Sequence, residues 1–295
     1  MRRILLILVV LAHIFMSQAT GQNIDSIKKR TQDNHDLQAT VEKFLFVAGN
    51  YDLKKMKAMI DDKANVGIVR YENGEWKNSI IAIQEYFEWA RQTQLTPYYE
   101  TVLDWNIQKN EDQLAFVYAD AILHRYGVPI RHNQDYFTLI KVDGVWKFLN
   151  LSYTTQPLPQ DKQKFDFEIF GKSYAQAWSG VRPEFVSSFF AKDGSLSINK
   201  GAPAVGRDAI TRVAESFMTA FPDMVVSMDS IPTTAKGTEF HWTLTGTNTG
   251  PGGTGKKVKI SGVEIWQMDN DGLVKKSDGS FDEAEYNRQL KQGVQ

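Results

Sequence analysis

The sequence predicts an α+β protein of two tandem domains, each a strongly bent antiparallel sheet with three helices across its concave side. Three observations carry this. One order of elements (helix, helix, strand, helix, then four strands) occurs twice within the 295 residues. Asp143-Gly144 and Asp271-Gly272 are turn signals 128 residues apart, and Ala48-Gly49-Asn50 is matched 130 residues later by Trp178-Ser179-Gly180. Between the copies lies Gln156-Pro157-Leu158-Pro159-Gln160, a short polar segment with two prolines. Runs of strands with segregated helices indicate α+β rather than alternating α/β. A repeat of this length is a duplicated domain, not a solenoid unit.

The chain begins Met1-Arg2-Arg3, continues almost wholly apolar from Ile4 to Phe15, and reaches Ser17-Gln18-Ala19, a small-x-small cleavage pattern. This reads as a secretory signal peptide over 1–20, too short in its apolar part to span a bilayer. Loss of Arg2 and Arg3 from a chain with 34 Lys+Arg and 35 Asp+Glu leaves a mildly acidic mature protein. The expected location is secreted or periplasmic, with no membrane attachment after cleavage.

The first domain is expected over 33–155. Val41, Phe44, Leu45 and Ala48 mark a helix through Leu37–Ala48, and a second follows over Leu53–Ile60. A strand covers Ala64–Arg70. Ser79 is the expected cap of a third helix carrying Ile80, Ile83, Phe87 and Ala90. Strands follow at Tyr98–Lys109, Gln113–Tyr126, Ile130–Val142 and Val145–Ser152.

After a linker at 156–161, the second domain is expected over 162–292. Phe167, Phe170, Tyr174 and Trp178 recur at helical spacing, and Pro183–Phe190 reads as a short helix. Asp193-Gly194 reads as a turn before a strand at Ser195–Asn199. Asp208 is the expected cap of a helix with Ile210, Val213, Ala214, Phe217 and Phe221 on one face, stopped by Pro222. Strands are expected at Val225–Ile231, Glu239–Thr249, Lys257–Met268 and Gly272–Lys276. Asp282–Gln292 reads as a closing helix.

Composition excludes several chemistries. With no cysteine there is no disulfide, thiolate metal site, cysteine nucleophile or lipidated cysteine. The near-neutral balance gives no basic face for nucleic acid. Gly250-Pro251-Gly252-Gly253-Thr254-Gly255 formally matches G-x-G-x-x-G, but a strand follows it where a dinucleotide or phosphate site needs a helix. His124, His132 and Asp135 fit no familiar metal spacing, so neither metal nor cofactor is expected.

The second half resembles the SnoaL-like polyketide cyclase branch of the nuclear transport factor 2-like superfamily, a cone-shaped α+β fold. The residues carrying the resemblance are Gly206-Arg207-Asp208-Ala209-Ile210, Phe221-Pro222-Asp223, Gly246-Thr247-Asn248-Thr249-Gly250, Gly262-Val263-Glu264, Asp271-Gly272, Phe281-Asp282 and Arg288-Gln289-Leu290. The first half is similar to the same superfamily more loosely, through its terminal strand Val145-Trp146-Lys147-Phe148-Leu149-Asn150-Leu151-Ser152. The resemblance implies a cofactor-free cyclase or isomerase acting on a small apolar, carbonyl-bearing molecule, with Asp282 at the position of the acid/base. The family often has a glutamate where this chain has Lys275-Lys276, and a bulkier residue where it has Ser280.

Candidate pocket residues are Tyr174, Trp178, His241, Glu264 and Trp266. Glu264 and Trp266 share a strand face with Ile260 and Gly262, while His241 lies opposite Trp242 and Leu244 on its strand. The pattern leaves open which face is concave, and a buried Glu264 needs partners. Asp282 is equally a good helix cap. In the first domain Phe116, Tyr118, Asp120, Ile122, His124 and Tyr126 form a mixed face suited to a pocket or to a domain–domain or homodimer contact. The rival to an enzyme is a non-catalytic ligand-binding or protein-interaction module of the same fold.

Overall fold

In the first half, one apolar stripe of Leu37, Val41, Phe44, Leu45 and Ala48 is buried, and residues 35–49 form helix α1 on that stripe. The computed structural model describes residues 35–294; the expected signal peptide over 1–20 and the expected domain start at 33 lie outside the described residues. Asp52 caps α2 (Leu53–Met59) by accepting from the Lys55 N–H at 3.0 Å. The chain then forms β1 (Ile60–Glu72), turns at Asn73-Gly74 and returns as β2 (Glu75–Ala82) before α3 (Ile83–Gln92). Four long strands complete the half: β3 (Tyr99–Asn110), β4 (Leu114–Arg125), β5 (Val128–Val142) and β6 (Val145–Pro157).

β2 corrects the helix start expected at Ser79. Ser79 pairs with Ile68 in the hairpin, Ile80 is exposed, and α3 begins only after Ala82. Asn73 and Gly74 both adopt positive φ, the conformation of a two-residue hairpin turn, and that turn overrides the local capping signal.

The expected linker is partly strand, because β6 extends to Pro157; a 3-10 turn follows at Gln160–Lys162. The second half contains α4 (Phe167–Trp178), α5 (Pro183–Ser188), β7 (Phe190–Ile198), β8 (Ala204–Val205) and α6 (Arg207–Ala220). It continues with β9 (Val225–Ser230), β10 (Thr233–Thr234), β11 (Gly237–Thr247), β12 (Lys257–Met268), β13 (Val274–Phe281) and α7 (Glu283–Gln292). Two local expectations are corrected. Gly206, not Asp208, occupies the N-cap of α6, and its positive φ suits glycine there. Asp193-Gly194 lies inside β7 rather than in a turn.

The sheets share one plan. The first runs β2-β1-β6-β5-β4-β3, and the second runs β8-β7-β13-β12-β11, with β9 and β10 both pairing β11. In each, one strand pair is parallel, β1 with β6 and β7 with β13, and the rest are antiparallel. Both parallel pairs break register at the same place. Ile60 to Asn65 opposes Phe148 to Asn150, and Phe190 to Ser195 opposes Val274 to Lys276. A bulge of this kind bends a sheet, and finding it twice marks the duplication.

Each half buries its own apolar cluster between helices and sheet, one around Phe44, Phe87, Phe137 and Phe148, the other around Tyr174, Phe189, Phe240 and Trp266. The halves also touch. Gln176 of α4 donates to the Tyr98 carbonyl at 2.7 Å, and its own carbonyl accepts from Asn50 Nδ2 at 2.7 Å.

Candidate functional site

In the second domain the cavity between helices and sheet has a volume of only about 50 Å³. Trp178, Phe217, Phe240, Trp242 and Phe281 line it, with Glu264 on its wall. Glu264 is buried and fully engaged. Its Oε2 accepts from Ser277 Oγ at 2.7 Å, Trp266 Nε1 at 3.0 Å and the Tyr174 hydroxyl at 3.1 Å. Burial pushes its carboxyl above the usual range against the pull of those three donors. Trp266 stacks on Phe240 at 4.8 Å between centroids, within the packed core.

Of the residues expected in this pocket, Trp178 and Glu264 line the cavity, and Tyr174 and Trp266 hold Glu264 from behind. His241 is not in it. It is partly exposed on the outward face of β11, 3.2 Å from Glu239 Oε2, while Trp242 and Leu244 point inward. Asp282 is exposed, caps α7 by accepting from the Glu285 N–H at 2.9 Å, and lies outside the cavity lining.

The first domain encloses a cavity of about 450 Å³, within the size range of small-molecule sites. Its floor is apolar, formed by residues such as Phe44, Met56, Val66, Ile83, Phe137 and Leu151. Its upper wall is polar. Arg131, Asn133 and Asp135 alternate along one face of β5, and Glu100 enters from β3. Tyr51, Tyr86, Tyr98 and Tyr153 complete the polar part.

Asn133 Nδ2 donates to Glu100 Oε1 at 2.5 Å across the intervening β4, where Ala121 pairs with Asn133 and Leu123 with Glu100. Burial raises the Glu100 carboxyl to about 7, with the Asn133 bond pulling the other way. Burial raises Asp135 well above the carboxylate range, and Glu100 and Asp120 push it further. Burial also pushes the Tyr51 hydroxyl up to about 12 and Tyr98 well above its normal value. Three polar atoms on this wall are buried with no protein partner: Arg131 Nη1, Asn133 Oδ1 and Asp135 Oδ2. Unpaired polar atoms at an open cavity are groups with hydrogen-bonding capacity left for an occupant.

Strand register shows why the two cavities differ. Asp135 pairs with Tyr153 and Ala119, and Glu264 with Gly279 and Phe240. Tyr153 and Gly279 stand equally far beyond the shared bulge, so Asp135 and Glu264 are equivalent positions. Reading along the same strands, Ala119 corresponds to Phe240, Ala121 to Trp242, Asn133 to Gly262 and Arg131 to Ile260. The repeat spacing likewise sets Ala48 against Trp178. Alanines thus stand in the first half at three positions where aromatic side chains line the second cavity.

The sequence pattern did not single out this wall. Asp135 drew notice only beside His124 and His132. Strand alternation separates Asp135 from His132, which instead meets Asp120 at 2.5 Å on the opposite face. The readable signal was Arg131, Asn133 and Asp135 in phase with Phe137 and Leu139, both buried. Polar residues in register with a core face mark a lined cavity.

Comparison with known proteins follows the second half. The family model described as SnoaL-like polyketide cyclase matches residues 169–290. No curated protein matches the chain. Among solved structures, a putative polyketide cyclase from Bacillus cereus is 15% identical, with 46% of this chain and 87% of that one covered and a TM-score of 0.36. A putative SnoaL-like polyketide cyclase from Jannaschia sp. is 15% identical, covering 38% of this chain and 80% of that one, TM-score 0.34. A hypothetical protein of ketosteroid isomerase-like fold from Catenulispora acidiphila is 15% identical, covering 40% and 88%, TM-score 0.36. By this match the chain carries a SnoaL-like domain at residues 169–290.

Proposed function

We propose that the chain is a cofactor-free acid/base catalyst whose site is the first-domain cavity, acting on a small, largely apolar carbonyl compound in an isomerisation or cyclisation. The observation that carries this reading is the pairing of two carboxyl groups, half-buried Glu100 and buried Asp135, on the polar wall of an open cavity with an apolar floor. A carboxyl that ionises near neutral pH is matched to removing a proton beside a carbonyl. A second carboxyl kept protonated by burial can donate a hydrogen bond to the enolate oxygen that forms. Glu100 takes the first role and Asp135 the second. Tyr51, Tyr86 and Tyr98 keep their hydroxyls protonated and so remain donors. The second domain, with its small cavity and fully bonded Glu264, supports the first through the Gln176 contacts.

Proton exchange into small aryl ketones in D2O, followed by NMR, tests this. The wild type should speed exchange at the carbon beside the carbonyl, and Glu100→Gln should abolish the effect. Exchange no faster with the wild type than with Glu100→Gln would sink the catalytic reading and leave a ligand-binding module.

A second reading, addition of water, rests on Asn133 Oδ1, a buried acceptor without a partner beside both carboxyls. With Glu100 it has the chemistry to orient a water. Incorporation of 18O from solvent into an epoxide or enone probe would favour this reading over isomerisation. Export is proposed from the leader at 1–20, and the intact mass of the secreted protein checks it.

A further inference from the structure

Glu100 and Asp135 leave part of the first-domain wall unused. Arg131 also faces the cavity, and its Nη1 is buried without a hydrogen-bond partner. Arg125 and Arg70, both exposed, line the same cavity and so stand at its mouth. Among the described residues none of the three arginines is in an ion pair, although Glu100, Asp135 and Glu72 line the same space. Arginine does not shed its proton in proteins, so the buried guanidinium nitrogen keeps its charge and requires an acceptor. The backbone sets Arg131 four residues from Asp135 on one strand, about 13 Å along the sheet. A single ligand can therefore meet the two at different ends. Three arginines thus line a space in which Asp135 is buried and Glu72 and Glu100 are partly buried.

We propose that the ligand of this cavity is anionic and carries a carboxylate that docks on Arg131, with Arg125 and Arg70 guiding it through the mouth. This rests on the reading that the first-domain cavity is the functional site, and it narrows the substrate class to small keto acids with an apolar body. Arginine meets carboxylate as a planar fork with two parallel bonds, a geometry that an amide of the same shape cannot reproduce. Ile260 holds the equivalent position in the second domain, where the cavity is nearly filled. The cationic group is thus present only in the half that has room for a ligand.

Calorimetric titration of the full mature chain at pH 6 tests the assignment, using 4-oxo-4-phenylbutanoate and 4-oxo-4-phenylbutanamide as paired probes. The carboxylate should bind at least about tenfold more tightly than the amide. Arg131→Gln should erase that preference while leaving amide affinity unchanged, and Arg131→Lys should restore part of it. A thermal melt of each variant shows that it is folded. Equal affinity of both probes for the wild type overturns the anionic head and leaves the cavity as a site for neutral carbonyl compounds. A preference that survives Arg131→Gln overturns the role of Arg131. Binding of neither probe overturns the keto-acid class, and the proton-exchange experiment with Glu100→Gln then decides separately whether the cavity is catalytic.

Discussion

Asp135 and Glu264 occupy the same place in the two halves of the chain, yet Asp135 Oδ2 is buried without a partner while Glu264 accepts three hydrogen bonds. One carboxyl is available to an occupant, and the other is consumed by its neighbours. Substitution should separate them. Glu264→Ala orphans three buried donors and opens a void, and should cost about 3–5 kcal/mol in chemical denaturation. Asp135→Asn keeps the shape and should leave stability at pH 3, where the carboxyl is protonated folded or unfolded, within about 0.5 kcal/mol of the wild type, and should raise stability at neutral pH.

The Glu100 carboxyl sets a pH dependence of stability. In the folded chain it holds its proton to about pH 7, against 4.5 for the ordinary group. The unfolded chain therefore binds fewer protons between those values, so stability is greatest below the lower one, falls as pH rises through the upper one, and then levels off. The loss attributable to Glu100 is ~3 kcal/mol. Glu100→Gln should melt close to the wild type at pH 4 and above it at pH 8. Coincident melting at both pH values would remove Glu100 from the set of buried, proton-holding groups.

Activity should run the other way. Proton removal requires ionised Glu100, so exchange should rise with pH and level off above about 7. Loss of a general base costs roughly 10²–10⁴ in rate. Glu100→Gln should show that loss and no pH step in this range.

Ala121 is fully buried on β4 beside Asn133, and its counterpart Trp242 lines the second cavity. Ala121→Trp should abolish ligand binding in the first domain by crowding the neighbouring Asn133 and so breaking its bond to Glu100. The far-ultraviolet circular dichroism should be unchanged. Retained binding in this variant would place the ligand elsewhere.

Asp282 caps α7, so Asp282→Ala should lower stability by about 1 kcal/mol and Asp282→Asn should leave it nearly unchanged. Neither should alter proton exchange. A loss of turnover in Asp282→Asn with unchanged melting would restore the acid/base role to this residue.

The long elements were readable because their signals are local and strong. Phe167 to Trp178 is helical as its spacing predicts, and Lys257–Met268 is a strand over the bounds expected. β2 was missed because capping signals at Ser79 compete with a turn at Asn73-Gly74, and the pairing of Ser79 with Ile68 decides the contest from outside the local window. Glu264 was found because it lies within a family motif. Its burial was posed as a choice of face, which only the sheet's curvature resolves. Glu100 was not found, since nothing in Tyr99–Asn110 alone shows that Asn133 will reach it across β4. Sites assembled from non-adjacent strands are visible only once register is known.

The alanines of β4 have one more consequence. The family model matches residues 169–290, where aromatic side chains have taken up the interior, and does not extend to the half whose interior stays hollow. Family likeness and vacant volume therefore lie in different halves of the chain. A substrate sought through the relatives of the recognisable copy would be sought in the half least able to admit it.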